Sequence, residues 1–241
     1  MNESRQSPEP APLGVLSQLW RYPVKSMAAE AVERSEVSWH GVAGDRRWAF
    51  LRRDSETNGF PYLTIRDEPR MCLYRAELTE PARPDASSVQ VSTPEGTRYA
   101  VDDPELAHRL GDGVRLTRLR RGMHDAMPLS LISTATVAEL CRRAGVPYEP
   151  QRFRPNLLVE TTEDRPFTED EWVGRTLALG STVLRVDLHD PRCVMINTDP
   201  RTSETTPAVL RALADRKARA GVYASVVTPG SVATGDKLVL N

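Results

Sequence analysis

The 241-residue sequence predicts a mainly β protein, closed or folded over on itself, with a few helices. Three observations carry this. Short apolar runs of strand length, punctuated by Gly and Pro, outnumber helical patterns by a wide margin. Strands and helices do not alternate as βαβ units. The sequence has neither a G-x-G-x-x-G run nor a P-loop, so a doubly wound nucleotide-binding sheet is set aside.

Composition narrows the class. Hydrophobic residues make up 39% and charged residues 27%, ordinary values for a globular chain able to bury a sizeable core. No apolar run approaches the roughly 18 residues of a membrane span. Residues 1–12 are polar and rich in Pro, Glu and Ser. They lack the apolar core of a signal peptide and read as a disordered tail, which makes the cytoplasm the expected compartment. The net charge of −1 gives no reason to expect nucleic-acid binding. Only Lys25, Lys217 and Lys237 are lysines, against 29 arginines. The three cysteines, Cys72, Cys141 and Cys193, are too few and too far apart for a disulfide framework, and no C-x-x-C pair suggests zinc or an iron–sulfur cluster.

In chain order, residues 13–22 read as the first strand. Pro23 ends it and leaves Lys25 and Ser26 in a loop, either as an anion-binding pair or as a solvated surface pair. A strand over 31–39 is followed by a bend at Gly41 and Gly44, then a strand over 48–51. Arg46 lies at that bend, where its guanidinium could fork onto phosphate oxygens or simply pair with Asp45. A helical turn is expected over 64–70 and a strand over 71–78, with Cys72 in the core. Residues 89–93 and 98–101 flank the hairpin signal Pro94-Glu95-Gly96. A short helix over 104–110 stops at Gly111, and a strand follows over 114–119.

Residues 124–128 separate this half from the apolar run 129–132, which places a domain boundary between 125 and 126. Thr136-x-x-Glu139 resembles a capping box in a helix running to Ala144, closed by Gly145 and Pro147. Cys141 falls on that helix as packing. Arg152-Phe153-Arg154-Pro155-Asn156 leads into the strand 157–159. Two arginines and an asparagine there suit a planar heterocycle or anion, or face water at a strand entry. A hairpin is expected over 172–186 and the best helix of the chain over 207–220. A strand over 222–227 then turns at Pro229-Gly230 towards a final strand, 237–240.

Chemistry concentrates in the stretch 189–200. Cys193 sits just after a strand, between Pro191 and Pro200, with Arg192 beside it. A thiolate is a soft ligand and a good nucleophile, and a neighbouring arginine would favour the charged form. The competing reading makes Cys193 a small buried hydrophobe.

Together these motifs resemble the MOSC family, named for the C-terminal part of molybdenum cofactor sulfurase. Tyr22-Pro23-Val24-Lys25-Ser26 and Gly44-Asp45-Arg46-x-Trp48 match the N-terminal β-barrel-like domain, here 13–125. Phe153-Arg154-Pro155-Asn156, Arg192-Cys193 followed by Asp199-Pro200, Pro229-Gly230 and Gly235-Asp236 match the MOSC domain proper, a β-barrel, here 126–241. The chain resembles the two-domain, amidoxime-reducing type.

That resemblance implies a molybdenum cofactor with Cys193 as the thiolate on molybdenum. Lys25, Ser26 and Arg46 would hold its phosphate, Arg154 and Asn156 would contact the pterin, and Arg192 and Tyr223 would line the site. Asp199 would be a supporting group or proton relay, or else a turn residue. The implied activity is reduction of N-hydroxylated small molecules. No ferredoxin-like extension is expected, so electrons would come from a separate ferredoxin- or flavin-type reductase. The alternative is a persulfide carrier, with Cys193 loaded by a sulfur donor. No pyridoxal phosphate, nucleic acid or membrane is expected. A β-rich binding protein with an inert Cys193 is the third reading. One departure stands out: Ala126 and Met127 occupy positions where the amidoxime-reducing relatives carry two hydroxyl residues.

Overall fold

The computed structural model describes residues 11–53 and 60–241. Most of the expected tail, 1–10, lies outside the described residues. Among the described residues sixteen strands follow one another along the chain. The first nine are β1 (Gly14–Arg21), β2 (Glu30–Ala31), β3 (Arg34–Ser38), β4 (Gly41–Val42), β5 (Trp48–Leu51), β6 (Arg75–Leu78), β7 (Val89–Ser92), β8 (Arg98–Ala100) and β9 (Arg115–Arg118). The rest are β10 (Leu129–Ser133), β11 (Leu157–Thr161), β12 (Thr176–Leu179), β13 (Thr182–Pro191), β14 (Arg219–Thr228), β15 (Gly230–Ala233) and β16 (Lys237–Leu240). Three α-helices accompany them: α1 (Pro104–Leu110), α2 (Thr134–Ala144) and α3 (Ala208–Arg211).

Seven strands form a closed barrel in the order β11-β10-β14-β13-β12-β16-β1, with β1 pairing back onto β11. Its ladders are antiparallel except β10–β11. Strand alternation sorts the side chains. Leu129, Leu131, Leu157 and Val159 point into the barrel core with Leu16, Leu184 and Val222, while Ile132 and Leu158 point outward onto α2 and α3. A separate core built on Val24, Phe50, Met71, Val91 and Leu106 holds the β5–β9 and β6–β7–β8 sheets together, while Val37, Val42 and Val232 of β3, β4 and β15 join the barrel core. β15, late in the chain, pairs with β3.

Several expectations change. Cys72 is core, but it lies in a 3-10 turn, Pro69–Leu73, entered through Pro69; the strand begins only at Arg75. Residues 31–39 split between β2 and β3. The cap of α2 is Ser133, whose hydroxyl accepts from Thr136 N, while Glu139 pairs with Arg142 and Arg143. Buried Glu169 completes this cap by accepting from Ser133 N and Thr136 Oγ1. The helix expected over 207–220 is a single turn, α3, followed by a 3-10 turn at Ala214–Arg216.

Gly221 does not end a helix. It sits inside β14 at φ +72°, and an added Cβ would stand 2.5 Å from Leu131 O and 3.1 Å from Arg192 Nη2. Gly221→Ala therefore meets both a left-handed backbone and a neighbouring strand. It should cost at least about 2 kcal/mol in urea unfolding. A loss under half of that would show that β14 can shift without strain.

Candidate functional site

The chain turns at one rim of the barrel converge on an open cleft. Lys25 and Ser26 follow β1. Arg46 precedes β5, and 124–127 precede β10. Arg154 and Asn156 precede β11, Asp190 to Cys193 end β13, and Tyr223 comes from β14.

The turn after β1 is fixed by backbone bonds, Lys25 N to Trp48 O (2.8 Å) and Met27 N to Val24 O (3.2 Å). Ser26 adopts φ +69° there. Lys25 Nζ donates to Met123 O (2.9 Å) and to Asp125 Oδ1 (2.6 Å). Burial lowers its pKa against the pull of Asp125. Ser26 is 1% exposed, and its hydroxyl has no partner among the described residues.

Asp45 locks the next loop. It accepts from Tyr22 N (2.7 Å) and from Arg46 Nη1 (2.5 Å). The Asp45–Arg46 contact, one reading of which was a surface pair, is therefore interior, since Asp45 is fully buried. Burial works against the Arg46 cation, but Asp45, Tyr22 and Asp125 together outweigh it and the pKa rises. Arg46 and Arg154 both stack on the Tyr22 ring, 4.6 and 4.3 Å from its centroid. Arg154 donates to Met27 O (2.9 Å). It has no carboxylate partner among the described residues, and burial lowers its pKa. Arg46 and Arg154 share a left-handed backbone at φ +49°, strain of the kind that collects at binding sites.

Asn156 and Arg192 are largely spoken for by the protein. Asn156 Nδ2 donates to Trp20 O, and its Oδ1 accepts weakly from Ser130 N at 3.4 Å. Arg192 donates from Nε to Ala220 O (2.8 Å) and from Nη1 to Phe153 O (2.6 Å). Its Nη2 stands 2.9 Å from Asp190 Oδ2 as an ion pair, off hydrogen-bond direction. Asp190 also accepts from Ser130 Oγ (2.8 Å), and burial raises its pKa. Burial and the neighbouring Asp190 push the Tyr223 phenol up.

Cys193 is exposed at this rim, whereas Cys72 and Cys141 are buried. This removes the reading of Cys193 as a packed hydrophobe. Burial pushes the Cys72 thiol up to about 11. Asp199 does not reach the cleft. Its carboxylate pairs with Arg152 and accepts from Arg201 N (2.8 Å), a turn that holds Arg152 against the cleft wall. Met127 lines the cleft while Ala126 is exposed outside it.

Sequence reasoning missed the acids. Asp45 and Asp190 stand next to their arginines and look like surface pairs; His124 and Asp125 look like a separator. Lys25, Arg46, Arg152 and Arg192 each face a carboxylate, which leaves Arg154 as the half-buried cleft cation without a salt-bridge partner among the described residues. With the unpartnered Ser26 hydroxyl, this suits an anionic ligand. A soft thiol on the same cleft suits a metal carried by that ligand.

Fold and site define a closed β-barrel protein with a cation-lined cleft and a solvent-facing thiol at its rim. The sequence matches the MOSC N-terminal beta barrel domain over residues 13–122 and the MOSC domain over residues 118–239. The chain belongs to the MOSC family. It is 22% identical to mitochondrial amidoxime-reducing component 1 of Homo sapiens, covering 95% of this chain and 83% of that protein. It is 30% identical to molybdenum cofactor sulfurase of Drosophila grimshawi over 87% of this chain, but spans only 32% of that longer protein. The solved YUAD protein from Bacillus subtilis shares the fold, with a TM-score of 0.50 at 14% identity and 93% of each chain covered. Among the described residues, no helix is long and apolar enough to cross a membrane.

Proposed function

We propose that the chain binds a molybdenum cofactor in this cleft and reduces N-hydroxylated small molecules with electrons from a separate ferredoxin- or flavin-type donor. One observation carries the reading: among the described residues an exposed thiol, Cys193, shares a cleft with a half-buried cation lacking a carboxylate partner, Arg154, and a buried hydroxyl lacking a partner, Ser26. Among the described residues no three His, Cys, Asp or Glu side chains gather as a metal site. A metal held here would arrive with ligands of its own, and Cys193 would supply one more.

Lys25, Ser26, Arg46 and Arg154 would hold the anionic end of the group. Its phosphate carries nearly two negative charges, which matches convergent cations. Asn156, Arg192 and Asp190 brace the rim that presents Cys193. Bound there, the group supplies two-electron reduction, converting N–OH to N–H with two protons taken up and water released. The relatives named as amidoxime-reducing components support this reading.

The exposure of Cys193 also favours a second reading, a persulfide carrier fed by a sulfur donor. One preparation separates the two. The protein and its Cys193→Ala variant are produced in a host that makes the cofactor, then assayed for molybdenum, pterin and persulfide. Near-stoichiometric molybdenum and pterin in wild type, with altered molybdenum ligation in the variant and hydroxylamine reduction lost, is the expected result. Absence of molybdenum from both, with persulfide on wild type alone, would replace reduction by sulfur transfer.

A further inference from the structure

The carboxylates facing Lys25, Arg46 and Arg192 are held very differently. Asp45 is fully buried and bonded to Tyr22 N as well as Arg46. Asp190 is buried and bonded to Ser130 as well as paired with Arg192. Asp125 has one hydrogen-bond partner among the described residues, Lys25 Nζ at 2.6 Å, and its side chain is 47% exposed. It lies between β9 and β10, on a segment with neither helix nor strand. Its carboxylate can therefore turn into water without breaking another described bond.

Lys25 is the opposite case. Its ammonium is buried, and a buried ammonium without an anion is costly. Something must face it when the cleft holds no ligand, and Asp125 does. Next to it sit the unpartnered Ser26 hydroxyl and, across the cleft, the Arg154 cation, which has no salt-bridge partner among the described residues.

We propose that Asp125 is a resident counter-ion for Lys25 that an incoming phosphate group displaces, so that the cleft admits dianions and turns away monoanions. The inference rests on the anion-binding reading above. A monoanion replacing Asp125 exchanges like for like and gains nothing in charge. A phosphomonoester or phosphate dianion brings a second charge for Arg154 and further acceptor oxygens for Ser26. Asp125 thus sets ligand charge selectivity, with Lys25, Ser26 and Arg154 as the groups released to the ligand.

The test titrates inorganic phosphate at pH 8, and separately formate, into ligand-free protein by calorimetry, with melting temperatures alongside. Wild type should bind phosphate and show no formate heat. Asp125→Asn should bind phosphate about tenfold more tightly and now take formate. Its melting temperature should fall without ligand, because Lys25 is left unpaired, and rise further than wild type when phosphate is added. Asp125→Glu, which keeps the charge, should stay close to wild type. Should the Asn variant not fold, Asp125→Ser carries the same comparison. Phosphate affinity that is unchanged or weaker in the neutral variant would overturn the counter-ion role and make Asp125 a positioning residue for Lys25. If neither protein binds phosphate, the anion-site reading itself fails, while the molybdenum content of the Cys193 comparison still stands separately.

Discussion

Arg192→Ala should lower the free energy of unfolding by about 3–5 kcal/mol, the usual cost of removing one partner of a buried ion pair. The guanidinium is 7% exposed and the Asp190 side chain 2%. It joins three chain segments: the start of β14 through Ala220 O, the end of the Pro150–Phe153 turn through Phe153 O, and β13 through Asp190. Truncation strands two buried carbonyls and leaves a carboxylate whose ionised form burial already disfavours. Urea unfolding at pH 7 reads this directly. The double variant Arg192→Ala with Asp190→Asn should recover part of the loss, because the stranded charge goes while the stranded carbonyls remain. A single-variant loss below about 1 kcal/mol would mean that the pair is hydrated and that Cys193 is presented by something other than this brace.

Much of the β character was legible locally because it is local. The 94–96 turn, the stop at Gly111 and the αL cap at Gly145 each act over a few residues, and β7, β8, α1 and α2 formed as their patterns indicate. Closed or folded-over β structure was expected, and the closed barrel bears it out; the pairings that close it were not legible, because β1 meets β11 and β16 across most of the chain, and no window of sequence contains them. The 207–220 segment shows tertiary structure overriding periodicity. Val209 and Leu213 are buried as helical spacing implies. The helix nevertheless stops after one turn, Lys217 and Ala218 adopt positive φ, and Ala220 to Val222 are drawn into β14 by β10 and β13. At the site, Lys25, Arg46, Arg154, Arg192 and Cys193 were legible as polar residues at strand ends. Their acids were not. Asp45-Arg46 and Asp190-x-Arg192 look the same in sequence whether they face water or the interior, and only folding decides which.

Stability should fall by roughly 3 kcal/mol between pH 7 and pH 4 through His124 alone. Burial lowers the His124 pKa from 6.5 to about 4 in the folded chain, and Arg46 and Lys25 add to it against the attraction of Asp45. The side chain is only 13% exposed, so solvent screening takes little away. His124 Nε2 lies 3.2 Å from His40 O, a carbonyl that can only accept, so this nitrogen carries the neutral ring's proton. Acid must therefore add its proton at Nδ1, which lies 3.9 Å from Asp45 Oδ2 and too far to be well paired. Between pH 6.5 and pH 4 the unfolded chain binds that proton and the folded chain does not. The contribution is complete above pH 6.5 and is lost as pH falls towards 4. In urea unfolding across this range, the difference between wild type and His124→Asn should shrink by that amount on acidification. A constant difference would show that His124 titrates as a surface histidine. His124 adjoins Asp125 in the segment over Lys25, so its protonation would place a second cation beside Asp125.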